Sequence, residues 1–115
     1  MITYDDFKKV EIRAGKILSA EKIPETDKLL KLSVDLGEKD TEGNSRPRTI
    51  VSGISLYFPE CSVLVGKTCM FVANLEPRII RGIESNGMIF AISDDEGHFS
   101  LLEPSQPIKP GSTAK

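Results

Sequence analysis

At 115 residues, 39% of them hydrophobic, the chain is long enough to bury a core as one globular domain over residues 1–115 without metals or disulfides. No apolar run approaches the ~18 residues of a membrane span, and Met1-Ile2-Thr3-Tyr4-Asp5-Asp6-Phe7 lacks the basic-then-apolar order of a leader, so a soluble cytoplasmic protein is expected. The net charge of −2 argues mildly against a general polyanion binder, because phosphate affinity comes from lysines and arginines that displace counterions.

Thr3-Tyr4-Asp5-Asp6-Phe7-Lys8-Lys9 offers a capping threonine, acids in the first turn and lysines at the end, which predicts a short N-terminal helix. Val10-Glu11-Ile12-Arg13-Ala14 then alternates with period two. Gly15 interrupts before Ile17, Leu18 and Ala20 resume, predicting a long strand bent at a bulge. Pro24-Glu25-Thr26-Asp27 reads as a loop with Lys28 at its exit. The clearest strand is Leu30-Lys31-Leu32-Ser33-Val34-Asp35-Leu36, whose four apolar residues share one face and leave Lys31, Ser33 and Asp35 open to a ligand on the other.

Gly37 closes that strand, and the polar stretch Glu38 to Pro47 is expected to be a mobile surface loop of dispensable length. Arg48-Thr49-Ile50-Val51-Ser52-Gly53-Ile54 restores a strand, and Ser55-Leu56-Tyr57-Phe58, stopped at Pro59, suits a short helix that plugs one end of a barrel. Two apolar runs follow, Cys69-Met70-Phe71-Val72-Ala73 and Met88-Ile89-Phe90-Ala91-Ile92, each short enough to be a buried strand. Between them lies a charged stretch, Asn74 to Met88, in which Pro77, Gly82 and Gly87 favour a shaped loop over a helix. Asp94-Asp95-Glu96-Gly97 marks a turn, Phe99-Ser100-Leu101-Leu102 a return strand, and the proline-rich tail is expected to run over the surface outside any ladder.

Five main strands with one short helix after the third predict an all-β, five-stranded OB-fold Greek-key barrel. A sandwich or another small barrel uses the same strands. Charge is unevenly placed: within 45–82, Arg46, Arg48, Lys67, Arg78 and Arg81 meet only Glu60 and Glu76, so a local basic surface fits an acidic chain. Cys61 and Cys69 have no metal-type spacing and are expected to be reduced thiols. One histidine, His98, beside a turn-forming acidic run gives no metal-ligand set, and no activated nucleophile, phosphate loop or dinucleotide fingerprint is present. No metal, no cofactor and no catalysis are expected.

Asp6-Phe7, Val10-Glu11-Ile12-Arg13-Ala14-Gly15-Lys16-Ile17, Lys28-Leu29-Leu30-Lys31-Leu32, Ile50-Val51-Ser52-Gly53-Ile54, Asn74-Leu75-Glu76-Pro77-Arg78 and Gly82-Ile83-Glu84-Ser85-Asn86-Gly87-Met88 occur in order across nearly the whole chain. Together they resemble the tRNA-binding domain found at the C-terminus of many methionyl-tRNA synthetases and in free-standing tRNA-binding proteins, with more distant relatives in the chaperone CsaA and in aminoacylation cofactors. The resemblance implies an OB-fold, typically a homodimer, that binds tRNA by shape without catalysis. It acts alone or beside the catalytic part of methionyl-tRNA synthetase. A CsaA-like chaperone for unfolded peptides is the alternative.

Matched positions implied as groove residues are Lys28, Ser52, Asn74, Arg78, Ser85 and Met88; charge and expected facing add Lys31, Arg46, Arg48 and Arg81. Guanidinium forks suit phosphate or stack on a base, and lysines neutralise phosphates. Asn74, Ser52 and Ser85 suit sugars or base edges, and Met88 an apolar shelf. Asn74 and Ser85 suit loop shape equally well, and Met88 core packing. Two departures from the family pattern are the long acidic Glu38–Pro47 loop and the scarcity of aromatics, 6% with no Trp, which predicts modest affinity unless a dimer enlarges the contact surface.

Overall fold

Alternation of apolar and polar side chains becomes antiparallel pairing in the computed structural model, which describes residues 1–115. A turn of helix, α1 (Tyr4–Lys8), precedes β1 (Ile12–Lys22), β2 (Leu30–Asp35), β3 (Arg48–Ser52) and β4 (Thr68–Val72). Five shorter strands follow: β5 (Arg78–Ile80), β6 (Ile83–Ser85), β7 (Met88–Ile89), β8 (Ala91–Ser93) and β9 (Phe99–Leu101). The main sheet runs β3-β2-β1-β4-β7, with β5-β6 and β8-β9 as separate hairpins. Its outer edges nearly meet, since Asn86 N–H donates to Thr49 O at 2.9 Å and Val51 N–H donates to Ser85 Oγ at 2.9 Å. The result is a nearly closed five-stranded barrel of the OB type, as the strand count predicts.

Inside the barrel Ile17, Leu30, Leu32, Val34, Leu36, Ile50, Leu64, Cys69 and Phe71 are fully buried in one continuous core. Burial, helped by the Glu103 charge and partly opposed by Lys67, raises the Cys69 thiol to about 11 and keeps it protonated, while the half-buried Cys61 thiol donates to Ala20 O; both cysteines are free. The predicted N-terminal helix forms over one turn with a capping box, in which Asp6 N–H donates to Thr3 Oγ1 and Thr3 N–H to Asp6 Oδ2.

The structure departs from three expectations. The irregularity in β1 falls between Ile17 and Ser19, at the exposed Leu18, and not at Gly15. Gly15 is there because a Cβ would lie 2.7 Å from Val34 Cγ1, 2.8 Å from Leu36 Cδ2 and 2.8 Å from Phe71 Cδ1. The short helix expected between β3 and β4 forms as a 3-10 turn, Ser55–Tyr57, and a second, Cys61–Leu64, follows it, with Leu64 filling the core while Leu56 and Tyr57 are exposed. Pro59 leaves too few residues before it to nucleate a helix and pushes Phe58 out of the helical region, to φ −134° and ψ 73°.

The stretch Glu38 to Pro47 is a closed turn, bridged between Lys39 and Ser45. At its tip Asp40 Oδ1 accepts from Glu42 and Asn44 N–H. Finally, the tail joins a ladder. β2 reaches β1 only as far as Lys16, and beyond it Ala14 N–H donates to Ser112 O at 2.8 Å, Gly111 N–H to Ala14 O at 2.7 Å and Ala114 N–H to Ile12 O at 2.8 Å. Proline forbids this only at its own position, and Gly111 to Ala114 contain none.

Because the atoms around Gly15 are side chains already packed in the core, Gly15→Ala is expected to lower unfolding free energy by about 1–3 kcal/mol. Gly53→Ala, with nothing within 4 Å of the added carbon, serves as the control. Urea denaturation midpoints measure both.

Candidate nucleic-acid interface

The stretch after β4 is built from its ends inward. Asn74 Oδ1 accepts from Glu11 N–H at 2.8 Å and its Nδ2 donates to Lys9 O at 2.6 Å, tying the root of the stretch to the end of α1. Beyond Pro77 the chain forms a tight hairpin, β5 on β6, with Ile80 opposite Ile83 and only Arg81-Gly82 between them. Both turn residues have positive φ, 53° and 79°, the signature of a type I′ hairpin turn. Gly82 accepts this freely, whereas Arg81 bears a steric cost of about 1 kcal/mol or more at the tip. Ser85 is buried and its Oγ accepts the Val51 N–H, so the hairpin is stitched to β3.

Cross-strand neighbours share a face of the sheet. Lys31 stands opposite Val51, on the outer face with Ser33 and Thr49, while Ser52 stands opposite Leu30 and Arg48 opposite Val34, on the core-facing side. Arg78 and Met88 line one depression with Val51, Ile80, Ser85 and Gly87. Arg81 lines another with Lys28, whose carbonyl is held by the Ser55 N–H at 2.9 Å. Met88 is 45% exposed, an open position for an apolar contact. The predicted residues therefore sort into two groups: Lys28, Lys31, Arg78, Arg81 and Met88 present free side chains, whereas Asn74, Ser85 and Arg48 have theirs engaged within the protein. Arg46 is exposed beside Glu84, and Ser52 is half-buried at the end of β3.

None of Lys28, Lys31, Arg46, Arg78 or Arg81 is in an ion pair; the salt bridges fall on Lys9, Arg13, Arg48, Lys67 and His98. Glu25, Asp27 and Glu76 line the same depressions as Lys28, Arg81 and Arg78, which lowers the local positive potential without pairing it away. Residues that sequence reasoning missed include Ile79, 71% exposed on the hairpin, and Val51, which floors the Arg78 depression. The Ile79-Ile80 pair was the available signal, since a hairpin strand turns one of two adjacent isoleucines outward.

Arg48 is held from two sides. Its Nε and Nη2 donate to Glu38 Oε1 and Oε2, each at 2.8 Å, and its Nη1 donates to the carbonyls of Ala73 and Asn86. The hydrogen bond and charge of Arg48 hold the Glu38 carboxyl below its ordinary value against a smaller opposing effect of burial. At the β8–β9 turn, Asp94, Glu96 and His98 bring ligand-type atoms within 4.8 Å of one another, all exposed. There Asp94 accepts from the backbone and ring of His98, which lower its pKa.

A family model described as "Putative tRNA binding domain" matches residues 12–113. The chain belongs to the tRNA-binding domain family. It is 47% identical over 112 residues to the methionine–tRNA ligase of Methanoregula boonei, covering 97% of this chain and 15% of that protein. It thus spans about a seventh of the length of that relative. Among solved structures, the MetRS-related protein of Pyrococcus horikoshii superposes with a TM-score of 0.87 at 34% identity, over 100% of this chain and 98% of that one. The CsaA chaperone protein of Picrophilus torridus superposes with a TM-score of 0.82 at 28% identity, over the whole of both chains. No helix of this tRNA-binding domain is long and apolar enough to cross a membrane.

The lowered Glu38 pKa has a definite sign in stability. A carboxyl depressed on folding stabilises the native state above its unfolded value, near 4.5, and that contribution is lost as pH falls through the folded value. The stability gap between the parent and Glu38→Gln is therefore expected to be full at about pH 6 and to shrink toward about pH 3. Urea unfolding of both proteins across that range measures it, and the Asp94 contribution cancels in the difference.

Proposed function

We propose that the chain binds tRNA by shape, without catalysis, through the groove between the outer face of β2 and β3 and the β5–β6 hairpin. The observation that carries this reading is the set of unpaired cations: Arg78 lines a depression with the apolar Val51, Ile80 and Met88, Lys31 stands opposite Val51, and Lys28 and Arg81 line a second depression. Arg78 and Arg81 engage backbone phosphates or stack on splayed bases, Lys28 and Lys31 neutralise phosphates, and Met88 and Ile79 offer apolar contact. Arg46 adds an exposed cation in a neighbouring depression, and Ser52, on the core-facing side of β3, serves the shape of the strand end. Asn74 and Ser85 contribute through the shape of the loop.

The protein acts as a cytoplasmic homodimer of this one domain, free-standing or beside the catalytic part of methionyl-tRNA synthetase, whose hold on tRNA it strengthens. Dimerisation doubles a small contact surface and compensates for the lack of aromatic stacking. The similarity to the CsaA chaperone supports a second reading, binding of unfolded peptide through the exposed Ile79 and Met88.

In a gel shift at low salt, Arg78→Ala is expected to weaken tRNA binding about tenfold and to reduce the slope of log affinity against log salt by about one contact. Unchanged binding by Arg78→Ala removes the groove reading, and an unfolded peptide that displaces tRNA while tolerating Arg78→Ala favours the chaperone. Arg81→Asn separates charge from shape. Asparagine suits the positive φ, so thermal stability is expected to hold or rise slightly while tRNA affinity falls several-fold.

A further inference from the structure

Arg48 and the acidic loop before it are not absorbed by a groove of free cations. β3 turns Arg48 to the same side as Ile50, toward the barrel end and away from Lys31. There its guanidinium spans the two roots of the hairpin-bearing stretch: Ala73 is the first residue after β4, and Asn86 is the first after β6. Ala73 is buried, so its carbonyl needs a partner that water does not supply. Glu38 grips the remaining two donor positions in a two-pronged pair, and both side chains are largely shielded, 23% and 31% exposed. Glu38 is itself placed by the loop, whose return is fixed where Arg46 N–H donates to Glu38 O at 2.9 Å.

We propose that Glu38 and Arg48 form a clasp that sets the position of the β5–β6 hairpin, so that Arg48 is a positioning residue for nucleic-acid binding and touches no phosphate. The 38–47 turn is the arm that delivers Glu38 to the clasp. Its acidity thereby serves the cationic surface, by locking an arginine that fixes where Arg78 and Arg81 stand. This inference rests on the groove reading for its effect on tRNA, but the clasp has a readout that needs no RNA.

Glu38→Gln keeps the volume and fold of the loop, and Arg48→Lys keeps the charge while losing the fork that holds four acceptors at once. Hydrogen exchange of the Ile83 and Ser85 amides in the full chain is expected to speed up at least several-fold in Glu38→Gln and in Arg48→Lys, with the β1 and β2 amides unchanged. Both variants are expected to bind tRNA several-fold to tenfold more weakly with the salt slope of the parent, because the number of phosphate contacts is untouched. The double variant is expected to be no weaker than either single one, as for two residues acting as a unit.

A tighter-binding Glu38→Gln would overturn the proposal, because a freed Arg48 would then be a phosphate ligand. So would full retention of affinity by Arg48→Lys, or unaltered hairpin exchange in both variants. A parent that fails to bind tRNA would remove the groove reading and leave the exchange measurement to decide the clasp.

Discussion

Everything in this molecule depends on β1 being shared. One strand of eleven residues pairs with β4 along its first half and with β2 along its second, so a single continuous backbone joins the two halves of the barrel. Such a strand must curve sharply, and two local features permit it: the ladder slips at Leu18, and Gly15 lets Val34, Leu36 and Phe71 crowd against its backbone. With β1 bent, β3 and β7 come round far enough for the Ser85 hydroxyl and the Asn86 amide to bond β3. Closure of the barrel and stitching of the hairpin are therefore one event, and the rigidity of the core extends to the groove wall.

Much of this was legible in the residues. Strict alternation in Leu30 to Leu36 specifies a half-buried strand because only one parity is apolar, and Arg81-Gly82 between isoleucines is a hairpin turn written in two residues. What escaped was long-range or capped by side chains. Nothing local in Asn74 announces a partner 63 or 65 residues earlier, and nothing in Glu38 announces Arg48. The turn at Asp40 carries no apolar pattern, and its signal is an aspartate able to accept two backbone amides. The direction of Arg48 is readable from its shared parity with the buried Ile50, a signal that charge alone does not carry.

An acidic protein that belongs to a tRNA-binding family shows how little net charge constrains binding. The total of −2 counts acids such as those at the β8–β9 turn, and even Glu25, Asp27 and Glu76, which share depressions with Lys28, Arg81 and Arg78, leave those cations out of ion pairs. What decides phosphate affinity is which cations remain free. Here the division is sharp: Arg48 is engaged by Glu38 and two backbone carbonyls, whereas Arg78 and Arg81 on the hairpin are in no ion pair.

The last residues of the chain carry a consequence of another kind. Where β2 stops short of Ile12 to Ala14, the tail from Gly111 to Ala114 covers the exposed amides and carbonyls of β1. Without that cover, the most central strand of the barrel would present an open edge at the surface, ready to template pairing with any extended segment, including the same strand of a second molecule. Four residues that add almost nothing to the core thus act as a guard against misassembly. Proteolytic trimming there would change the molecule's tendency to aggregate before it changed its fold.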